Sequence, residues 1–559
     1  GSLGGTLTTL NLNVGDLNVA GDGLTTDSLN LLTGGTLGLF AGNQVLFNLA
    51  DAGLSGNSTY TLLQVADGGL SALGLGNFLQ GATPGGFDAF TWVVTDNFVR
   101  LQTGNLLTGN LYWTGNTNTN TTWNASANNW STDKAGASAA TSIPGAGNDV
   151  VFAANSVPGT ALATTLEQSF RVNSLTFEPS ATTPLSVTIA PGANPASVLD
   201  VKPATSDKGI TLVSGGPAAV AINSGLKLGA DQTWNVADAI ALANPAYATA
   251  STTVTVGSTA GLVPGMLIGG VGIPAGTTIA SITDGTTFVL STPTTAASTG
   301  VSLSATSVLT VGGALSGSGI VTKTGSGRAV LASAADATFT APSVNVNGGQ
   351  LQINSTTALG STVLGNAATV NINSGGTFFY NGAAATTSNP INMNGGTLSA
   401  GGGTQTYNGG LTVSADSFVQ MLDPVIGSAG RSITVSGVIS GPGRLTIDSI
   451  TTLSSGNQIT GNFTVNQNNS GWTGGMNILR GSAVTTNVNG FGTGDISISL
   501  GKVAWQGPSG ATWAVPNNIT ISDPLNNAIA EINVDATGTV TSPFTANFNG
   551  VITLGNAAT

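Results

Sequence analysis

Between Gly317 and Leu398 the chain alternates apolar and polar residues in short runs. Ile320–Lys323, Val344–Asn347, Leu351–Ile353 and Val370–Asn373 read as strands, with aliphatic side chains at every second position in the clearest of them. Alternate side chains of a strand point to opposite faces. Val344, Val346, Leu351 and Ile353 therefore line an interior, while Asn345, Asn347 and Gln352 face away from it or stack. The runs close on glycine corners, and the pairs Gly348-Gly349, Gly375-Gly376 and Gly395-Gly396 fall 27 and then 20 residues apart. Glycine supplies positive φ at a corner without a Cβ penalty, and asparagine tolerates the same region. Strands this short, at this period, predict coils that stack, because one coil cannot bury its own apolar edge. The fold read from the pattern is all-β: a right-handed parallel β-helix, or β-solenoid, in tandem modules with a small inserted all-β domain.

The same rhythm divides the chain. Residues 1–110 read as the end of one solenoid module, closed by an aromatic-rich cap that holds Tyr60, Phe78, Phe87, Phe90, Trp92 and Phe98. Residues 111–247 open a second module at Tyr112-Trp113, followed by Trp123, Asn129-Trp130 and the run from Pro144 to Phe152. Residues 248–307 break the rhythm and carry a hairpin signal, Asp284-Gly285, between Ile282 and Phe288. That stretch reads as a small inserted β domain. Coil texture resumes over 308–559. One helix candidate stands out, Val236–Ala248, and Asn244-Pro245 interrupts it.

Several of these residues support a resemblance. Gly317-x-Gly319, Lys323-x-Gly325-x-Gly327, Leu331, Phe339 and Val344-x-Val346-x-Gly348-Gly349-x-Leu351 resemble the autotransporter-associated β-strand repeat. Ile320 or Val321 replaces the family's first leucine, Phe339 replaces its tyrosine, and Ala341 stands where glycine is usual. A second, looser copy falls near 437–465, and the tryptophan series from 113 and the aromatic series from 60 look like a module's opening and close. The resemblance implies a secreted, passenger-like parallel β-helix of a bacterial cell surface, used as stalk, adhesin or coat layer. The 248–307 insert resembles a small β module of bacterial and phage-related surface proteins.

Composition narrows the chemistry. The 559 residues include 81 glycines, and only 6% are charged, with 12 basic against 24 acidic. The ordered aliphatic alternation argues for a folded chain, and a solenoid can run this long as a single body. Basic residues are scattered singly, which argues against nucleic acid. No apolar run approaches the roughly 20 residues a membrane-spanning helix needs. The chain opens and stops in mid-pattern, so it is expected to be a segment of something larger, secreted or displayed on a bacterial surface.

Histidine and cysteine are both absent. This removes Ser-His and Cys-His nucleophile systems and all imidazole or thiolate metal sites. Carboxylates remain, as Asp22 with Asp27, Asp88 with Asp96, Asp200 with Asp207, and Asp523 with Glu531 and Asp535. None comes with the set of neighbouring basic residues that a lyase needs to stabilise an enolate-like intermediate, Arg and Lys being too sparse, so all read as turn and cap residues. No catalytic or cofactor residue is assigned, and the chain is expected not to be an enzyme.

Calcium is the one metal the composition suits, with Asp149, Asp523 and Asp535 as candidate ligands. No DxDxDG loop accompanies them. Trp505 and Trp513, on apparently alternating strands, are the candidates for exposed contact with a glycan or partner. Trp113, Trp123 and Trp130 read as packing at a module junction. The pairs Asn11 and Asn13, Asn345 and Asn347, and Asn371 and Asn373 predict amide ladders if stacked in register.

Three functions follow in order. The first is a structural segment of a giant secreted surface protein forming a fibre, stalk or layer, with self-association along the solenoid axis or through tandem modules. The second is an adhesin or glycan-binding β-helix. The third is a polysaccharide-degrading enzyme.

Overall fold

The structure is a computed structural model. It describes residues 9–13, 29–31, 44–48, 54–65, 69–80, 85–115, 121–124, 129–153, 161–179, 186–274, 276–298, 303–360, 365–381, 385–400, 403–421, 431–449, 461–522, 530–537 and 542–554. The described chain is built of strands, with two 3-10 turns at Ser71–Leu73 and Leu75–Asn77. It divides into two compact units, one comprising Gly1–Pro184, Thr188–Gly209 and Asn223–Gly229 and the other the remainder.

In the first unit, strands pair in parallel across long sequence gaps. Gln44–Asn48 lies between Thr9–Asn13 and Phe78–Gln80. Asn148–Phe152 lies between Gly109–Trp113 and Ser174–Phe177. Val198–Val201 lies between Phe170–Val172 and Gly225–Leu228. The aromatic stretch is different: Phe98–Thr103 pairs antiparallel with both Thr59–Val65 and Phe90–Val94. Its core joins Tyr60, Phe78, Phe87, Val99 and Leu101, with Trp92 packed against it. Trp113, Trp123 and Trp130 are fully buried. Trp130 meets the other two edge-on at ring separations of 4.9 and 5.2 Å. Phe152 and Phe177 face each other in register and stack at 4.9 Å.

The second unit is the solenoid that the glycine spacing predicts. Eleven successive parallel pairings run from Ala219–Ile222 to Ile552–Leu554. At about 4.8 Å per pairing this stack is roughly 50 Å long. A second parallel sheet runs from Gln232–Val236 through Val321–Thr324, Ser343–Val346, Thr369–Asn373, Ile391–Asn394 and Leu411–Ala415 to Ile439–Ser440. The interior repeats like residues on successive floors. Val321, Val344, Val370, Ile391, Leu411 and Ile439 follow one another in register, all buried. Each such side chain contributes about 1.5–3 kcal/mol by leaving water, but only because the floors above and below cover it. The chain is a parallel β-helix.

Within this unit a pair of antiparallel sheets interrupts the coils. Leu303–Thr306 pairs with Ala239–Leu242 and Leu267–Gly270. Thr287–Leu290 pairs with Thr253–Thr255 and Ile279–Ile282. Val254, Met266, Ile268, Phe288 and Ala305 belong to a hydrophobic cluster of their own. The helix expected over Val236–Ala248 does not form. Val236 ends one strand and Ala239–Leu242 makes another, paired with a segment far along the chain. Asn244, at φ 50°, then turns the backbone, and Pro245 has no N–H with which to continue a helical turn.

Candidate functional site

The outward face of the second sheet in unit 2 carries the most regular chemistry. Because Val321, Val344 and Val370 point in, their strand neighbours Thr322, Asn345 and Asn371 point out, one above another. Thr233 precedes them in this column, and Asn392, Thr412 and Ser440 follow. The amides bond along the stack. Asn345 donates to Thr322 Oγ1 at 3.3 Å, Asn371 to Asn345 Oδ1 at 2.8 Å, and Asn392 to Asn371 Oδ1 at 3.4 Å. Ser414 donates to Asn392 Oδ1 at 2.7 Å. A second column lies two residues along each strand. There Asn373 donates to Asn347 at 2.6 Å and Asn394 to Asn373 at 3.0 Å. These are the expected ladders at Asn345, Asn347, Asn371 and Asn373; the side chains of Asn11 and Asn13 lie outside the described residues.

Lys323 lies on one of these strands and points the other way. Its side chain is fully buried, and Nζ donates to the carbonyl oxygens of Thr324, Gly325 and Gly348 at 2.6, 3.0 and 3.2 Å. Gly325 and Gly349 form this corner with φ of 71° and 60°. Burial pushes the ammonium's pKa down to about 7, although the three carbonyls favour the charged form.

A charged column that sequence reasoning missed lies in the first unit. Arg171, Asp200 and Lys227 occupy matching positions on three neighbouring parallel strands. Arg171 Nε meets Asp200 Oδ2 at 2.8 Å and Lys227 Nζ meets it at 3.7 Å. The separations of 29 and 27 residues match the coil period, and that was the available signal. Asp207, grouped with Asp200 in sequence, is exposed, and Thr205 and its own backbone N–H hold its carboxyl below the usual range.

The other carboxylates fall as follows. Asp149 accepts from Asn173 at 2.6 Å, Ser174 at 2.5 Å and Lys208 at 2.9 Å. Burial opposes its charge, but bonds from Ser174, Lys208 and Asn173 outweigh it and hold its carboxyl below the usual range. Asp535 is exposed, whereas Asp523, like Asp22 and Asp27, lies outside the described residues. Among the described residues no three acidic side chains gather in one place. Asp88 binds Asn105 through both oxygens, and Asp96 binds the backbone and hydroxyl of Ser71. Glu531 sits 3.9 Å from Lys502.

The expected exposure of Trp505 is corrected. Trp505 is 0% exposed, on a strand where Val503 and Ala504 are buried as well, so both faces are covered. Phe491 and Phe548 meet its ring edge-on, each at 5.2 Å. Trp513 is half-buried and meets Phe544 edge-on at 4.8 Å.

No protein-family model matches the chain, and no curated protein matches it in sequence. Two solved structures show a likeness. One is the Gp54 tailspike of Acinetobacter baumannii bacteriophage AP22, in complex with A. baumannii capsular saccharide. It is 10% identical, covers 73% of this chain and 67% of its own, and has a TM-score of 0.21. The other is the tailspike protein gp49 from Pseudomonas phage LKA1. It is 13% identical, covers 71% of this chain and 73% of its own, and has a TM-score of 0.16. No residue role is carried over from either.

The expectation that the chain is not an enzyme does not stand. It rested on carboxylates without basic partners, and Asp200 has two.

Proposed function

We propose that this chain is a stiff structural segment of a large secreted bacterial surface protein, made of solenoid modules that meet near residue 110, the second of them carrying a small inserted all-β domain over residues 248–307. The single observation that carries the reading is the uninterrupted run of eleven parallel pairings in the second unit. A body built this way resists bending, because every floor is bonded to the next along its length and shares its core with both neighbours.

The resemblance to the autotransporter-associated repeat supports the surface setting, and its signature residues have physical work at one corner. Lys323 ties together the carbonyls of Thr324, Gly325 and Gly348, while Gly325 and Gly349 take the left-handed turns. Low charge suits tandem modules packing end to end, since little like-charge repulsion opposes them.

Electron microscopy of the purified chain tests this. Straight rods of uniform width, some joined along their axis, are expected. Compact particles without a long axis would refute it.

A further inference from the structure

We propose that the two outward amide and hydroxyl columns of the second unit bind a neutral polysaccharide, one extended chain lying along the columns with about one sugar per strand. The inference goes beyond the structural reading, and each can fail without the other.

Hydrogen-bonding capacity is the first ground. An asparagine amide has two N–H groups and two carbonyl lone pairs. In the run Asn347, Asn373, Asn394, each link spends one N–H and one lone pair. The N–H groups and lone pairs left over offer a donor and an acceptor on each floor, and Asn347 and Asn394 are exposed. Hydroxylated sugars both donate and accept, so they match such a face.

Charge is the second ground. On the seven strands from Gln232–Val236 to Ile439–Ser440 the lone charged residue is Lys323, and it points inward. An acidic polymer would meet no cation there, whereas an uncharged one loses nothing. Thr322, Thr324 and Thr412 add methyl groups on which sugar C–H surfaces can rest.

Geometry is the third. The rungs recur at about 4.8 Å and the columns lie about 7 Å apart, and a pyranose in an extended chain advances by close to one rung. The bonds along the ladder hold the amides in place before any ligand arrives, which lowers the ordering cost of binding.

The test uses the full chain against neutral oligosaccharides of the β-glucan, mannan and xylan series, with polygalacturonate as the acidic control. Binding to a neutral series is expected, tightening with chain length and unchanged between low and high salt. Asn347→Lys with Asn394→Lys should weaken it about tenfold or more. Asn394 is exposed and ends its bonded run, so Asn394→Lys alone serves if the double variant does not fold; Asn394→Thr, which keeps a hydroxyl, should largely retain binding. The proposal is overturned if no neutral series binds, if polygalacturonate alone binds, or if folded lysine variants bind as the parent does.

Discussion

Lys323 shows how far a single side chain can depart from its sequence appearance. In the run Ile320–Lys323 a lysine reads as the solvent-facing member of an alternation, yet it is fully buried under three carbonyls. Its direction follows from the register with Trp234 and Val346, both interior residues far away in sequence. A pH dependence follows. Its pKa is about 7 folded, against an ordinary value of 10.5. Between those values the unfolded chain binds the extra proton, so this group makes stability rise with pH across that window. Lys323→Met should flatten that slope in a series of thermal melts from pH 6 to pH 10; an unchanged slope would assign it elsewhere. Trp505 carries the opposite lesson. Alternation suggested exposure, but a strand covered on both faces does not sort its residues by polarity. Trp505→Ala should therefore cost about 3–5 kcal/mol in denaturant unfolding, whereas a loss well under 1 kcal/mol would mean a surface position.

At the scale of elements, strands with glycine corners were legible because local sequence dictates both. The alternation of Val344 with Asn345 and the turns at Gly349 and Gly375 need no distant partner. The strand at Ala239–Leu242 was not legible, since its partner Leu303–Thr306 lies across the whole insert. The column of Arg171, Asp200 and Lys227 was hidden likewise, each charge being isolated in sequence until the coils stack.

Corner asparagines are a further device that alternation cannot show. Asn469 is buried, accepts the N–H of Ile439 at 2.7 Å and donates to the carbonyl of Gly490 at 2.7 Å, tying three segments together. Asn389 and Asn517 each donate to two carbonyls in the same manner. Asn469→Ala orphans a buried N–H and a buried carbonyl, and should cost about 1–3 kcal/mol for each. Exposed Asn394→Ala should cost clearly less. Equal losses in matched denaturation curves would contradict this account of the corners.

For the molecule as a whole, the governing fact is that the floors of the second unit stack in parallel and in register. The rigidity proposed above and the polar columns both depend on it. Cysteine is absent from the chain, so introduced pairs report register without background, and a disulfide does not bridge Cα atoms more than about 7 Å apart. Asn345 and Asn371 are one floor apart, and Asn345 and Asn392 are two floors apart, at about 5 and 10 Å. The decisive measurement is disulfide formation under mild oxidation in these two double-cysteine variants. The account predicts that Asn345→Cys with Asn371→Cys crosslinks readily and Asn345→Cys with Asn392→Cys does not; crosslinking of the second pair in preference to the first would contradict it.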